Sequence, residues 1–444
     1  MIKVTKLDLS PLKTFGKTHY IAEITEKLEG EKVTLTGWVY RKREHGKLVF
    51  IILRDGTGTI QVTIHKDKVD ERSFKDARKV SLESAVKLTG IVKRDPRAPG
   101  GVEIQATSFE IVSLAEPWPI TKDAGKVFLL DMRHLHIRSF KVRTILYLRS
   151  EICRYMREFL HKKGFVEIHA PIIITAACEG GATLFPLKYF GRKAYLTQSA
   201  QLYEEAAITS LEKVYTIAPG FRSEKSRTRR HLTEFWMVEC EIAFATHEDI
   251  MKLQEELVTY VCEKIVEEHE KELKEILNRE FKPPTIPFEK ITYTEALDLL
   301  REKAGIELPW GEDFGAEAER ELSKMFDQPF FVTHFPTVIR SFYHQPDPEN
   351  PEVTLSSDLM APEGYGELSS GGVRISDYDL LVKRIKEQNL PLESYSWYLD
   401  LRKYGIPPHA GFGIGIERLT AWICGLEHVR DTTLFPRTPS RVYP

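Results

Sequence analysis

The stretch from Phe221 to Glu241, FRSEKSRTRRHLTEFWMVECE, has the pattern of two extended segments joined by a loop rich in cations. Side chains two residues apart on a strand share a face, so Arg222 and Glu224 point the same way, as do Glu239 and Glu241. The loop cations are Lys225, Arg227, Arg229, Arg230 and His231. Such a hairpin suits a ligand with an aromatic ring, phosphates and an ammonium group, as ATP beside an amino acid would present. A solvated basic loop is the competing interpretation, because most charge runs are of that kind.

Length and composition describe a multidomain globular protein. A chain of 444 residues exceeds the usual single-domain size, so we expect two or three domains. The formal net charge of −2 gives no global basic field, so an RNA partner must be held by local patches. The five cysteines form no CxxC pair, which indicates neither a zinc site nor a disulfide framework. Without a signal peptide or an apolar run of transmembrane length, we expect a cytoplasmic protein with no membrane partner.

The first quarter of the chain has the pattern of a small β-barrel. Five strand-like runs between Lys32 and about Val112, with a helical insert near Asp70–Lys79, predict a barrel of the OB type. Such barrels bind single-stranded nucleic acid by stacking bases on aromatic side chains beside cations. Along VFIILR, residues 49, 51 and 53 are all apolar and form the better core face, which leaves Phe50 free to face outward. We assign residues 1–18 to an extension, 19–113 to the barrel and 114–135 to a linker.

The remaining residues, 136–444, predict a second domain. A helix is expected over Ser139–Lys162, ended by Gly164, and FVEIHAPII after it predicts one strand interrupted by Pro171. A long helix is expected over His247–Leu277, within a helical elaboration near 247–326 in which the sequence indicates no chemistry. Strands are then expected at PFFVTHF and at VIRSFYH.

Two glycine-containing segments of this domain predict parts of a nucleotide site. DLMAPEGYGELSSGG (358–372) places acids among glycines, and carboxylates with hydroxyls are the oxygen ligands that Mg²⁺ prefers. A solvent loop with three acids is the competing interpretation. In GFGIGIER (411–418), Gly411, Gly413 and Gly415 would line one face of a strand without side chains, so a planar ring could lie against the backbone.

FRxE…RHxxEF resembles motif 2 of the class II aminoacyl-tRNA synthetases, and SRTRRHLTEFWMVE resembles the asparaginyl form within the aspartyl/asparaginyl subgroup. GFVEIHAP resembles motif 1, which forms the dimer interface of that family, and GFGIGIER resembles motif 3. The resemblance extends from about Tyr20 to Pro444. It implies an α+β fold, in which an N-terminal OB-fold barrel reads the anticodon and an antiparallel sheet flanked by helices carries catalysis. The implied substrates are ATP, an amino acid and tRNA. The implied cofactor is Mg²⁺, and the implied partner is a second copy of the chain.

The resemblance also implies a role for individual residues. Arg222 and Arg418 are expected to be catalytic, Arg222 by holding both the amino acid's carboxylate and the α-phosphate. The residues expected at the ATP site are Arg222, Ser223, Glu224, Arg230, His231, Leu232, Phe235, Glu367, Gly415, Ile416, Glu417 and Arg418. Those expected at the amino-acid site are Glu179, Ser199, Gln201, Glu204, Arg222, Glu239, Ser370, Arg374 and His409. Those expected near the metal are Asp358, Glu367 and Ser370, and those expected at the anticodon are Arg41, Arg43, Phe50 and Gln61.

Glu204 is the main position that distinguishes asparagine from aspartate as the amino acid, and Glu239 and the terminal FPRTPSRVYP also resemble the asparaginyl form. Aspartyl members of the family carry a lysine in QSPQLxK that helps to bind the substrate carboxylate, and here that position is Glu204. An anion there would repel aspartate and accept from an amide, which favours ligation of asparagine to tRNA. ELSSGGVR and PPHAG are nearer to the aspartyl forms, so aspartate remains the alternative. A tRNA-independent asparagine synthetase and a non-catalytic RNA-binding paralogue are the further alternatives.

Overall fold

The chain forms two compact units in a computed structural model, Met1–Gly125 and Lys126–Pro444. The structure describes residues 13–98, 100–179, 183–225 and 228–444. Most of the predicted 1–18 extension, residues 180–182 after Glu179 and the loop cation Arg227 therefore lie outside the described residues. Within these ranges, the helices are too short or too polar to cross a bilayer.

The first unit contains a closed five-stranded barrel, which confirms the predicted OB-fold. Its strands are β1 (Lys32–His45), β2 (Leu48–Arg54), β3 (Thr59–His65), β4 (Ala85–Arg94) and β5 (Val102–Ser113), in the order β1-β2-β3-β5-β4. Helix α1 (Glu71–Lys79) joins β3 to β4, and the Asp70 carboxylate caps it by accepting from the Ser73 amide at 2.8 Å. Val49, Ile51 and Leu53 are buried inside the barrel, so alternation along β2 turns Phe50 outward as expected.

The second unit is built on an eight-stranded sheet with the order β12-β13-β14-β15-β16-β11-β10-β6. Its strands are β6 (Val166–Glu167), β10 (Lys213–Phe221), β11 (Glu234–Ala243), β12 (Glu289–Thr292), β13 (Phe330–Thr333), β14 (Ser356–Ala361), β15 (Gly366–Val373) and β16 (His409–Gly415). A separate three-stranded sheet contains β7 (Ile173–Ile174), β8 (Pro186–Tyr189) and β9 (Arg192–Leu196). The predicted antiparallel pairing holds in the centre, whereas β6 and β12 at the two edges each pair in parallel.

Helices cover one face of this sheet. The α-helices of the second unit are α2 (Lys126–Asp131), α3 (Arg133–His136), α4 (Phe140–Lys162), α5 (Gln201–Leu211), α6 (His247–Lys271), α7 (Tyr293–Leu299), α8 (Ala316–Ser323), α9 (Tyr378–Glu387), α10 (Ser396–Lys403) and α11 (Ile416–Cys424). Residues of α4, α6 and α11 share a buried core with Val238, Cys240, Phe412 and Ile414 of the sheet. Because side chains alternate along a strand, Glu239 and Glu241 project from the opposite face.

Two predictions of local structure for this unit are wrong. FVEIHAPII does not form one strand, since β6 and β7 belong to different sheets and Pro171, which has no backbone N–H to donate, lies between them. VIRSFYH is a turn-rich loop that contacts the sheet through Arg340 and not a strand. The region near 247–326 contains the helices α6, α7 and α8 together with the short edge strand β12.

Candidate active site

The open face of the sheet lines a cleft whose open volume is about 1060 Å³. The hairpin β10–β11, the strands β15 and β16 and the start of α5 meet there. The predicted site residues on its wall are Glu179, Ser199, Gln201, Glu204, Arg222, Glu224, Arg230, His231, Leu232, Phe235, Glu239, Glu367, Ser370, Arg374, Gly415, Glu417 and Arg418. The cationic hairpin and the glycine-rich strand, which lie almost 200 residues apart in sequence, therefore border a single cavity.

Arg222 lies at the centre of the cleft, immediately after the end of β10. Its guanidinium forms an ion pair with the Glu179 carboxylate and stacks over the Phe235 ring, with 5.3 Å between the guanidinium carbon and the ring centroid. Burial opposes the charge on Arg222, but the carboxylates of Glu179, Glu367 and Glu224 raise its pKa, so it stays cationic. Arg222 and Glu179 thus present a cation and an anion side by side, which matches the carboxylate and ammonium groups of an amino acid.

Three arginines surround Glu367 at one end of the cleft. Arg418 Nη1 lies 2.7 Å from the Glu367 carboxylate, and Arg230 Nη2 donates to the Glu367 backbone carbonyl at 3.2 Å. Although burial disfavours its charge, Arg418, Arg230 and Arg222 lower the pKa of Glu367 to about 2. This end therefore keeps one ionised carboxylate within a cationic surround, an arrangement suited to polyphosphate with a divalent cation.

His231 is not one of the cations at neutral pH, which corrects the expectation from the loop composition. Burial, with Arg418 and Arg230 nearby, lowers the pKa of His231 to about 4. Its Nδ1 lies 2.5 Å from the Thr228 hydroxyl, so the other ring nitrogen is left to act toward the cleft. A neutral imidazole can donate one hydrogen bond to a phosphate oxygen without adding charge.

The glycine-rich strand β16 forms a floor without side chains, as the sequence predicts. Phe412 and Ile414 point into the core, and a Cβ placed on Gly413 would meet Glu239 Cγ at 3.4 Å. A Cβ on Gly411 would overlap the Glu241 carboxylate and the Cys240 carbonyl, so this position accepts no side chain. The bare backbone leaves room for a flat ring between this strand and Phe235.

The end of the cleft opposite Glu367 contains three carboxyl groups and one guanidinium. Arg374 donates to both oxygens of Glu241, with its Nη2 lying 3.0 Å from Oε2. Glu239 accepts from the Ser199 hydroxyl and, at 3.0 Å, from the Ala200 amide, and burial raises its pKa to about 7. Glu204 is also buried and lines the cleft. A group that both donates and accepts hydrogen bonds fits this end better than a second anion does.

The outer surface of the barrel brings the four predicted anticodon residues to one face. In the strand register Arg43 pairs with Phe50, Arg41 with Ile52, and Ile52 with Gln61, so these side chains point the same way. Both arginines are exposed and Phe50 is half-buried. Gln61 Nε2 donates to Glu103 at 3.0 Å, which holds its amide in one orientation. An aromatic ring on the outer surface beside cations is the usual arrangement for binding single-stranded RNA.

Residues 126–439 match the family described as tRNA synthetases class II (D, K and N), and residues 33–112 match the OB-fold nucleic acid binding domain. The chain belongs to the class II tRNA synthetases. It is 53% identical over 429 residues to the asparagine–tRNA ligase of Thermococcus kodakarensis, which covers 96% of this chain and 99% of the relative. The asparagine–tRNA ligase of Pelotomaculum thermopropionicum is 50% identical, over 94% of this chain and 97% of its own.

Solved structures of other class II tRNA synthetases have the same fold. The asparaginyl-tRNA synthetase of Pyrococcus horikoshii complexed with asparaginyl-adenylate has a TM-score of 0.93 at 47% identity, covering 97% of this chain and 100% of its own. A putative aspartyl-tRNA synthetase from Leishmania major has a TM-score of 0.87 at 28% identity, covering 99% and 96%. The resemblance to class II synthetases and the predicted fold class are thereby confirmed.

Four predicted site residues of this synthetase lie off the cleft wall. His409 is fully buried behind the wall, with its ring nitrogens 2.7 Å from the Pro407 carbonyl and 3.0 Å from Glu205 Oε2, so its side chain does not line the amino-acid site as expected. Ile416 points its side chain into the core, and the Ser223 hydroxyl lies 3.3 Å from the Leu184 carbonyl. Asp358 pairs with Arg340 at 2.7 Å. Any ligand contact of Ser223 or Ile416 would therefore come from the backbone.

The residues of this synthetase fit a Mg²⁺ ion that arrives with ATP better than one held by the protein alone. Among the described residues, no three His, Cys, Asp or Glu side chains cluster as metal ligands. Glu367 stays ionised on the cleft wall beside Ser370, whereas burial raises the pKa of Asp358 to about 7 and its partner is Arg340. One carboxylate suits Mg²⁺, which is usually bound through one or two carboxylates, water and substrate phosphates.

Sequence reasoning missed several residues at the cleft of this synthetase. Glu319 of α8 pairs with Arg230 and lies 3.4 Å from the Glu367 amide, although no chemistry was expected in that region. Tyr343 and His344 line the cleft from the loop that was predicted to be a strand. Their local sequence carries no signal for a ligand, because only the packing of α8 and this loop against the sheet brings them there.

Proposed function

We propose that this chain is an asparagine–tRNA ligase, which activates asparagine with ATP and transfers it to the 3′ end of the matching tRNA. The observation that carries the choice of asparagine is the charge at the amino-acid end of the cleft. Three carboxyl groups face one guanidinium there, and Arg374 already donates to both oxygens of Glu241. Because Glu241 already neutralises Arg374, a substrate carboxylate would enter this buried end without a free cation to pair with, whereas an amide carries no charge. The named archaeal and bacterial relatives support the same assignment.

The first step needs no nucleophile from the protein. The carboxylate of asparagine attacks the α-phosphorus of ATP, an asparaginyl-adenylate forms, and pyrophosphate leaves. Arg222 neutralises charge on the attacking carboxylate and the α-phosphate, while Glu179 beside it accepts from the α-ammonium group. Gln201 lines the same part of the cleft, with its Nε2 bonded to Glu205, so its amide oxygen is the group available to the ammonium. Catalysis then consists of positioning and charge neutralisation.

The adenine and phosphates occupy the other half of the cleft in this proposal. The ring stacks between Phe235 and the bare strand at Gly413 and Gly415, and Glu224 accepts from the adenine amino group. Arg230, His231 and Arg418 donate to the outer phosphates. Mg²⁺, when bound with ATP, supplies further neutralisation of phosphate charge, and Glu367 with Ser370 would hold it.

The barrel supplies tRNA recognition in the same proposal. Phe50 stacks on an anticodon base, Gln61 reads its edge, and Arg41 and Arg43 contact the backbone phosphates. The chain acts in the cytoplasm as a homodimer, with the barrel at 19–113, the linker at 114–135 and the catalytic domain at 136–444.

Exchange of radiolabelled pyrophosphate into ATP, run with asparagine and aspartate side by side, tests the first step. We expect exchange with asparagine alone, followed by transfer to tRNA in an aminoacylation assay. Exchange with aspartate alone would establish the alternative, which the segments ELSSGGVR and PPHAG favour. Exchange with neither would indicate an RNA-binding paralogue. Formation of free asparagine without tRNA would indicate the tRNA-independent asparagine synthetase, an enzyme that has no use for the barrel.

A further inference from the structure

Glu204 has no ion-pair partner among the described residues, whereas Glu239, which also has none, accepts from the Ser199 hydroxyl and the Ala200 amide. Its side chain is 1% exposed, and its Oε1 has no hydrogen-bond partner in the described part of the chain. By comparison, Glu241 is paired with Arg374, and the adjacent Glu205 is paired with Arg402 at 2.6 Å. A buried, ionised carboxylate without a partner is too costly to persist in a folded protein, so the group takes up a proton instead.

The carboxyl groups around Glu204 also favour its protonated form. From β11 it faces Glu239 and Glu241, and Cys240 of the same strand also lies within electrostatic range. Arg374 and the Thr216 hydroxyl of β10 favour the charged form, but the guanidinium is engaged by Glu241. Burial, followed by Glu239 and Glu241, raises the pKa of Glu204 well above its ordinary value of 4.5. This direction opposes the sequence-based expectation of an anion at this position.

We propose that Glu204 is a neutral carboxylic acid that donates a hydrogen bond to the side-chain carbonyl oxygen of the substrate amide. This inference rests on the proposed function, because it assigns the specificity of that same cleft. A carboxylic acid has one O–H donor, which a carboxylate lacks, and Glu204 lies on the cleft wall beside the acceptor Glu239. Asparagine offers a carbonyl oxygen to the donor and an amide nitrogen to the acceptor. Aspartate offers only acceptors, so the donor–acceptor pair discriminates without a repelling charge at Glu204.

Glu204→Gln and Glu204→Leu test the proposal by pyrophosphate exchange. Glutamine keeps the shape and an N–H donor, so we expect a KM for asparagine within about threefold of the unmodified enzyme and no exchange with aspartate. Leucine removes the donor and leaves the amide oxygen unpaired, so we expect the KM to rise about 10- to 100-fold. An anionic role predicts a loss of asparagine binding in both variants, because both substitutions remove the charge. Equal losses in the two variants, or exchange with aspartate in Glu204→Gln, would overturn the proposal.

The pH dependence of stability gives a readout that does not involve a substrate. A raised pKa means that the folded state binds a proton that the unfolded state has released, so Glu204 destabilises the fold increasingly as pH rises above 4.5. We expect Glu204→Gln to melt at a higher temperature than the unmodified protein, by a margin that grows from pH 5 to pH 8. A constant or negative margin would show that Glu204 is ionised. This outcome stands whichever amino acid the enzyme activates.

Glu205→Gln is the matched control on the same helix. Burial opposes ionisation of Glu205 too, but Arg402 and His409 lower its pKa, so its charge stabilises the fold above the ordinary value of 4.5. The same substitution one residue further along should therefore destabilise the protein throughout the neutral range. Opposite signs for the two variants support the neutral state of Glu204, and stabilisation by both would point to a general effect of removing acids and overturn it.

Discussion

At the scale of single residues, two arginines of the cleft form ion pairs with carboxylates. Arg222 pairs with Glu179, and Arg230 pairs with Glu319, so each guanidinium has a carboxylate that fixes its orientation. Arginine suits such positions because its planar fork can donate to two oxygens at once, which lysine cannot do. The effect of removing the guanidinium and the effect of removing its carboxylate partner can be measured separately.

Replacing Arg222 by lysine keeps the charge and removes the fork. We expect kcat for pyrophosphate exchange to fall by a factor of ~10² to 10³, because stabilisation of developing charge depends on the placed donors. Arg229→Lys is the control, since the Arg229 side chain is 69% exposed and does not border the cleft. Retention of more than half the activity in Arg222→Lys would remove Arg222 from its catalytic role.

Replacing Glu319 by glutamine removes the charge that holds Arg230. We expect the KM for ATP to rise about tenfold with little change in the KM for asparagine, because Arg230 loses its orientation toward the phosphates. Glu321→Gln on the same helix is the control, since Glu321 contacts Lys324 at 2.7 Å and Arg320 at the surface. Equal effects on both KM values would indicate a loss of structure and not of phosphate binding.

At the scale of elements, the cleft exists because two antiparallel strand pairs turn one face toward the buried core. Their other face is turned toward the ligand. Alternation along β11 buries Val238 and Cys240 and turns Glu239 and Glu241 toward the cleft. On the neighbouring strand β16, Phe412 and Ile414 likewise point into the core, and the three glycines lie on the other face. The strand therefore contributes to the core on one side and offers only backbone on the other.

Two alanine substitutions on β16 separate these roles. Gly411→Ala places a methyl group against the Cys240 carbonyl and Glu241, so we expect the free energy of unfolding in urea to fall by about 1–3 kcal/mol. Gly413→Ala meets its first neighbour at 3.4 Å, so we expect a small change in stability and a severalfold higher KM for ATP. Gly56→Ala, where a Cβ meets nothing within 4 Å, is the control. An unchanged KM in Gly413→Ala would contradict the assignment of this strand to adenosine.

At the scale of the whole molecule, the proposed function assigns tRNA recognition to one compact unit and the chemistry to the other. The barrel presents Arg41, Arg43, Phe50 and Gln61 on one outer face, and the cleft belongs entirely to the second unit. Asparagine activation needs only the cleft, whereas tRNA charging needs both units. The two reactions should therefore respond differently to changes in the barrel.

Phe50→Ala tests this division of labour. We expect kcat/KM for tRNA to fall about 10- to 100-fold, because stacking of one base on an aromatic ring contributes about 1–3 kcal/mol, while pyrophosphate exchange stays unchanged. Lys75→Ala on helix α1 is the control, an exposed cation of the barrel away from the strand face. A parallel loss of both reactions in Phe50→Ala would show that the effect arises from folding.

The barrel, the hairpin and the glycine floor can be predicted from the sequence alone, because strand alternation and chain breakers are local properties. Phe50 faces outward and Gly413 faces the cleft for reasons that a period of two already contains. Which groups are charged, and which residues distant in sequence lie close together, depends on the tertiary structure. Glu204 is predicted as an anion from its position in a motif, yet it lies buried beside Glu239 and Glu241, and a protonation state depends on solvent exclusion and on neighbours distant in sequence. Glu319 meets Arg230 for the same reason, since only the packing of α8 against the sheet brings them together.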